Sequence, residues 1–243
     1  MATRNTSGTR NTASGRNASG SRNASPSFRN EVGLVAYWTM NDNAANTTVI
    51  DTVIGGNNGT FSDATGNPNT SAHTVAGQVG TALNFDGVDD FINAGDTASL
   101  NITTVITLET WVYSDWKPWL SGYDFAHLIN KGKYFLYAYA GVLFQITDGG
   151  ITYEASSAAL SANTWLHVVG VYDGSNLKVY VNGVQSGDAT AHTGDIDSSS
   201  GTALRIGVDV PEARYFEGKM DEVRIYNRAL TAEEVKQRYN GTK

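Results

Sequence analysis

Trp165-Leu166-His167-Val168-Val169-Gly170-Val171-Tyr172-Asp173-Gly174-Ser175-Asn176-Leu177-Lys178-Val179-Tyr180-Val181-Asn182-Gly183 is the stretch that decides the fold. Apolar and polar residues alternate at period two along 177–182, and the β-branched run before it ends in Asp173-Gly174. Asp-Gly and Asn-Gly accept the positive φ that tight turns demand. The segment therefore predicts two antiparallel strands joined at 173–176, with a second turn at Asn182-Gly183. Working outward, residues 33–40, 81–85, 91–94, 107–113, 134–139, 142–147, 203–208 and 219–226 also read as strands. Short strands at this spacing, separated by turn signals, predict an all-β sandwich or barrel.

One helix is signalled at the end. Thr231 can cap it, Glu234 completes a capping box, and Leu230 and Val235 stand at the two positions of a hydrophobic staple, so the spacing predicts a helix over 232–239. The 243 residues include 26 glycines, only 4 prolines and no cysteine. Disulfides and thiolate metal sites are thereby excluded, and stability rests on the core and on any hard metal ion. No apolar run has the length of a membrane span, and the first thirty residues lack the apolar stretch of a classical signal peptide.

The net charge of −7 divides unevenly. Arg4, Arg10, Arg16, Arg22 and Arg29 lie in the first thirty residues with no acid, giving +5, while the remaining 213 residues hold 12 basic and 24 acidic side chains. Four of these arginines open a degenerate six-residue repeat, exemplified by Arg10-Asn11-Thr12-Ala13-Ser14-Gly15 and Arg16-Asn17-Ala18-Ser19-Gly20-Ser21. Almost nothing apolar precedes Phe28, so residues 1–31 cannot offset their own ordering entropy and are expected to order only against other subunits. Residues 32–243 are expected to form the folded domain.

Three segments read together as one pattern: Leu83-Asn84-Phe85-Asp86-Gly87-Val88-Asp89-Asp90-Phe91-Ile92, the Trp165–Gly174 stretch quoted above, and Phe216-Glu217-Gly218-Lys219-Met220-Asp221-Glu222-Val223-Arg224-Ile225-Tyr226-Asn227-Arg228-Ala229-Leu230-Thr231. In order and spacing, with Tyr37-Trp38 and Asp51…Gly55-Gly56-Asn57-Asn58-Gly59-Thr60 before them, they resemble the laminin-G-like, concanavalin-type jelly rolls. The resemblance implies an antiparallel two-sheet sandwich, often with a calcium ion on one rim. It implies no single activity, because the scaffold serves lectins, adhesive modules, enzyme accessory domains and virion proteins.

Retaining glucanases of this class need two carboxylates about 5–5.5 Å apart. No E-x-D-x-E run supplies them: Glu109 stands alone, Asp89-Asp90 and Asp221-Glu222 are neighbours on opposite faces, and Glu233-Glu234 belongs to the helix. His73, His127, His167 and His192 show no metal-ligand spacing, and no nucleophile–base pair can be placed, so no enzymatic activity is expected. If its strand is regular, Asp221 shares a face with Val223 and Ile225 and needs compensation. Either calcium or backbone N–H groups would serve. The resemblance suggests Asp51 and its Gly/Asn-rich loop as calcium co-ligands, with Asp42 a weaker candidate.

Trp116, Trp119 and Tyr123 crowd one loop, where they either stack on sugar rings and anchor a partner or fold over the end of the sandwich. Arginines six residues apart, without interleaved aromatics, are too dilute to read nucleic acid and better suit an acidic protein surface. The expected function is a non-enzymatic structural or adhesive protein of an extracellular assembly, such as a virion decoration or fibre protein. It would be held by its arm without a classical signal peptide, and copies would cluster, a trimer first. The alternative is a calcium-dependent carbohydrate-binding module facing surface glycans. Neither membrane insertion nor nucleic-acid binding is expected.

Overall fold

The computed structural model describes Met1 and residues 31–114, 126–209 and 214–243. Along them run β1 (Leu34–Trp38), β2 (Thr48–Val49), β3 (Gly59–Ser62), the single-turn helix α1 (Thr70–His73), β4 (Thr74–Ala76), β5 (Thr81–Asp86), β6 (Phe91–Gly95) and β7 (Ile106–Ser114). Next come β8 (Ala126–Asn130), β9 (Tyr134–Ala138), β10 (Val142–Asp148), β11 (Ile151–Ser156), β12 (Thr164–Tyr172), β13 (Asn176–Val181), β14 (Val184–Gln185) and β15 (Thr190–Ala191). The chain closes with β16 (Leu204–Ile206), β17 (Val208–Asp209), β18 (Arg214–Tyr215), β19 (Glu217–Tyr226) and α2 (Ala232–Thr242).

Nine strands form one sheet in the order β14-β13-β12-β7-β19-β5-β4, with β1 also on β19 and β15 on β13. Eight form the other, β11-β10-β9-β8-β16-β6-β3-β2, and β17 pairs with β18 alone. The jelly-roll sandwich expected from the sequence is thus present. The turn residues explain part of this: Asp173 Oδ1 accepts from Ser175 N at 2.9 Å and Asn176 N at 2.8 Å, closing the hairpin between β12 and β13.

Inward positions of both sheets meet in one core containing Trp38, Phe61, Phe85, Leu108, Leu136, Phe144, Val168, Ile206 and Ile225. Each such side chain contributes about 1.5–3 kcal/mol when fully buried. Gly170 interrupts an otherwise branched strand because a Cβ there would lie 2.5 Å from the Phe144 ring. The Phe144 ring of the facing sheet takes the space that a side chain at 170 would need.

The other side of the nine-stranded sheet is sealed by α2. Its capping box forms as expected, and it runs three residues past position 239. Leu230 and Val235 pack on Val169, Val171, Tyr180 and Tyr226, and Trp111 Nε1 donates to Thr242 Oγ1 at 2.9 Å. Beneath it lies a charged layer: His167 Nε2 is 3.0 Å and Arg224 Nη1 3.4 Å from Glu109 Oε1, and Arg224 also pairs with Glu222. No helix among the described residues is long and apolar enough to cross a membrane.

One phase differs from the sequence reading. A bulge separates Asp221 from Arg224, with Glu222 at φ 56°. Asp221 stands opposite Trp111 and Arg224 opposite Glu109, so Asp221 belongs to the helix-side row and not to the core row of Val223 and Ile225. The extra residue resets the alternation that a regular strand would have kept.

Candidate functional site: the outer face of the eight-stranded sheet

Alternation places Leu136, Phe144 and Ile206 in the core, and so turns their neighbours outward. The registers then align one outward row across seven strands. Glu154 stands opposite Gln145, which stands opposite Phe135; Phe135 opposes Asn130, Asn130 opposes Arg205, Arg205 opposes Asn93, and Asn93 opposes Thr60. Beside it, Leu143, Tyr137 and His127 make a second row.

The acids on this face are held by neighbours. Glu154 accepts from the Tyr137 hydroxyl at 2.6 Å and from Gln145 Nε2, which also donates to Tyr137 Oη at 2.6 Å. Burial, reinforced by the Glu154 carboxylate, holds the Tyr137 hydroxyl far above its ordinary pKa, so it remains a hydrogen-bond donor. Asp209 accepts from Asn130 Nδ2 at 3.0 Å and lies 3.4 Å from His127 Nε2 and 3.6 Å from Arg214 Nη1. Rings lie on the same side of the sheet: buried His127 stacks on buried Tyr137 with centroids 5.1 Å apart and meets half-buried Phe135 edge-on at 5.7 Å, and half-buried Phe91 lies 6.4 Å from Tyr215. Amides, bound carboxylates and the half-buried rings of Phe135, Phe91 and Tyr215 therefore share one side of the sheet, which suits reversible contact with a polar ligand rather than covalent chemistry.

Trp116, Trp119 and Tyr123 lie outside the described residues, as do Arg4, Arg10, Arg16, Arg22 and Arg29. Glu109 is fully buried under α2, in the charged layer. Asp51 offers calcium no open oxygen: Oδ1 accepts from Tyr37 N and Val53 N at 2.9 Å each, and Oδ2 accepts from Asn57 N at 2.7 Å and Asn57 Nδ2 at 3.2 Å. Asp221 is different. Its Oδ2 accepts from Val79 N at 2.8 Å, its Oδ1 has no hydrogen-bond partner, and burial pushes its pKa up to about 8. Asp51 thus braces the turn after β2, whereas Asp221 braces the turn between β4 and β5.

Asp42 Oδ1 accepts from Ile50 N at 3.1 Å, and burial raises its pKa. Among the described residues, Asp63–His73–Asp90 and Asp86–Asp89–Asp90 bring three possible metal-ligating atoms within 4.8 Å of one another; neither group contains Asp51 or Asp221. A cleft of about 540 Å³ opens between Glu31, Val32, Arg228, Glu234, Gln237 and Arg238, but its charges are matched by the Arg228–Glu234 and Arg238–Glu31 pairs.

The sequence reading missed the row itself. Its local signal was present in Tyr134-Phe135-Leu136-Tyr137-Ala138 and Val142-Leu143-Phe144-Gln145-Ile146, where alternate residues could be assigned to core and exterior.

Residues 86–236 match the family described as the concanavalin A-like lectin/glucanases superfamily, Laminin_G_3. No curated protein sequence matches the chain. Among solved structures, domain 4 of a GH43 extracellular arabinanase from Geobacillus stearothermophilus, in complex with arabinotriose, is 18% identical with a TM-score of 0.63, over 88% of this chain and 100% of that one. The binding domain of Paraclostridial Mosquitocidal Protein 1 is 16% identical with a TM-score of 0.63, over 86% of this chain and 52% of that one. The ligand-binding domain of botulinum neurotoxin serotype D, in complex with N-acetylneuraminic acid, is 12% identical with a TM-score of 0.61, over 86% and 51%. The chain spans about half the length of these toxin domains, and at such identities the likeness is one of fold.

Proposed function

We propose, given that this chain belongs to the concanavalin A-like lectin/glucanase superfamily, that its jelly roll is a non-catalytic glycan-binding module and that residues 1–31 attach it to other subunits of an extracellular assembly such as a virion. The observation that carries the glycan reading is the seven-strand row of three amides, the Phe135 ring, Thr60 and two charged groups on the outer side of the eight-stranded sheet. Sugars present apolar C–H faces and hydroxyl edges together. Aromatic and amide side chains side by side on a preorganised sheet match both at little ordering cost. The arabinanase domain solved with arabinotriose and the toxin domain solved with N-acetylneuraminic acid support a sugar as ligand. The burial of Glu109 supports binding without hydrolysis.

Glycan-array binding by the full chain tests this reading, repeated with Phe135→Ala and Gln145→Ala variants whose melting curves match the wild type. Loss of signal in the variants is expected; an array without binding, or variants that bind equally, would overturn it. Release of new reducing ends from a bound glycan would refute the non-catalytic part. The attachment role rests on the arginine repeat. Deleting residues 2–29 should leave the domain folded but unable to occupy assemblies that the full chain decorates, and full occupancy by the truncated chain would reduce the repeat to a linker.

A further inference from the structure

We propose that the face selects glycans bearing a carboxylate, and that Arg205 is the side chain that reads it. This deepens the glycan-binding reading and rests on it. Of the five arginines among the described residues, four pair with acids: Arg214 with Asp209, Arg224 with Glu109 and Glu222, Arg228 with Glu234, and Arg238 with Glu31. Arg205 has no acidic partner among the described residues, although it stands at the middle of the row. Its guanidinium lies over the Phe91 ring, with Cζ 5.6 Å from the centroid.

The neighbours of Arg205 leave that charge available. Its two cross-strand partners are amides, Asn130 on one side and Asn93 on the other. Asn130 is occupied, donating to Asp209 and accepting from Gly132 N at 2.9 Å. Exposed Asn93 accepts from Gly95 N at 3.0 Å through Oδ1, which orients its NH2 group as a further donor beside the guanidinium. The carboxylates on the face are already matched, Glu154 by Tyr137 and Gln145, and Asp209 by Asn130, His127 and Arg214. Of the charged groups named on this face, Arg205 is the one left without a hydrogen-bonded or acidic partner among the described residues.

A guanidinium presents a planar fork that fits a carboxylate with two parallel hydrogen bonds, and half-burial over an aromatic ring keeps it oriented and poorly screened. The aromatic surface of Phe91 and Tyr215 lies beside it, ready to take the apolar face of the same sugar. Residues 31–243 carry a negative net charge, so an anionic ligand gains nothing from the long-range field. Selectivity must come from this local contact.

The test compares glycans that differ only in charge: a sialylated oligosaccharide and an oligouronate, each against its carboxyl methyl ester. Affinities are measured calorimetrically for the full chain and for its Arg205→Gln and Arg205→Lys variants. At least one acid should bind the wild type on the order of tenfold or more above its ester. Arg205→Gln should erase that preference while leaving ester binding within about twofold, and Arg205→Lys should retain part of it because a point charge replaces the fork. Whichever acid shows the effect identifies the sugar class. Equal binding of acid and ester, or a preference that survives Arg205→Gln, overturns the assignment while leaving the glycan-binding reading intact. Failure of every acid and ester to bind, together with an array showing no binding, overturns both.

Discussion

Replacing Asp221 by asparagine should remove a pH dependence that the wild-type fold carries. The side chain is fully buried, Oδ1 lacks a hydrogen-bond partner, and burial raises the pKa from the ordinary carboxylate value to about 8. Between roughly pH 4 and pH 8 the folded chain therefore holds a proton at Asp221 that the unfolded chain has released, so stability falls as pH rises through this window and is greatest at its acid end. Each pH unit costs about 1.4 kcal/mol, so from pH 4.5 to pH 7 the loss amounts to about 3 kcal/mol, a large share of the 5–15 kcal/mol typical of a domain. An asparagine side chain at this position would keep the acceptor for Val79 N and could not ionise. Urea unfolding in EDTA at several pH values should show the wild-type free energy declining relative to Asp221→Asn by that amount. Parallel curves would refute the argument. Excess calcium supplies a second reading: if the ion is what neutralises the open Oδ1, it should suppress the wild-type slope and leave the variant unmoved.

Three further outcomes follow from the packing. Arg224→Met should destabilise by about 3–5 kcal/mol in chemical denaturation, because Glu222 would remain buried without its cation and Glu109 would keep only Arg238 and His167; a change below about 1 kcal/mol would show that the layer is hydrated. Thr231→Ala should lower stability by about 1 kcal/mol through loss of the cap to Glu234 N, without altering glycan affinity. Gly170→Val should fail to give a cooperative melt, since its side chain would enter the space of the Phe144 ring; a normal melt would show that the sheets can part there.

The long strands and α2 were legible because their signals are local. Period-two alternation marks Leu177-Lys178-Val179-Tyr180-Val181, and Thr231 with Glu234 marks the helix start. Two-residue strands such as β2, β14 and β15 contain too few positions to show a period. The bulge at Glu222 was hidden because nothing in that side chain announces a positive φ, and its consequence was to put Asp221 on the unexpected side. Asp51 was recognisable as important within its Gly/Asn-rich loop, but a carboxylate that braces backbone N–H groups and one that awaits a cation look alike in one dimension. The outward row was the least legible feature. Thr60 and Arg205 join one line only through strand order and register, which link positions far apart in the chain.

That row also works as a ruler. Adjacent strands lie about 4.8 Å apart, so the six steps from Thr60 to Glu154 mark off roughly 29 Å at right angles to the strands. A linear polymer laid along it would meet a new strand, and with it a different side chain, at each step of less than about 5 Å. Lengthening such a polymer should therefore strengthen its hold stepwise until the end strands are reached, and no further. The sheet's own spacing, more than any single residue, would set how long a ligand is worth recognising.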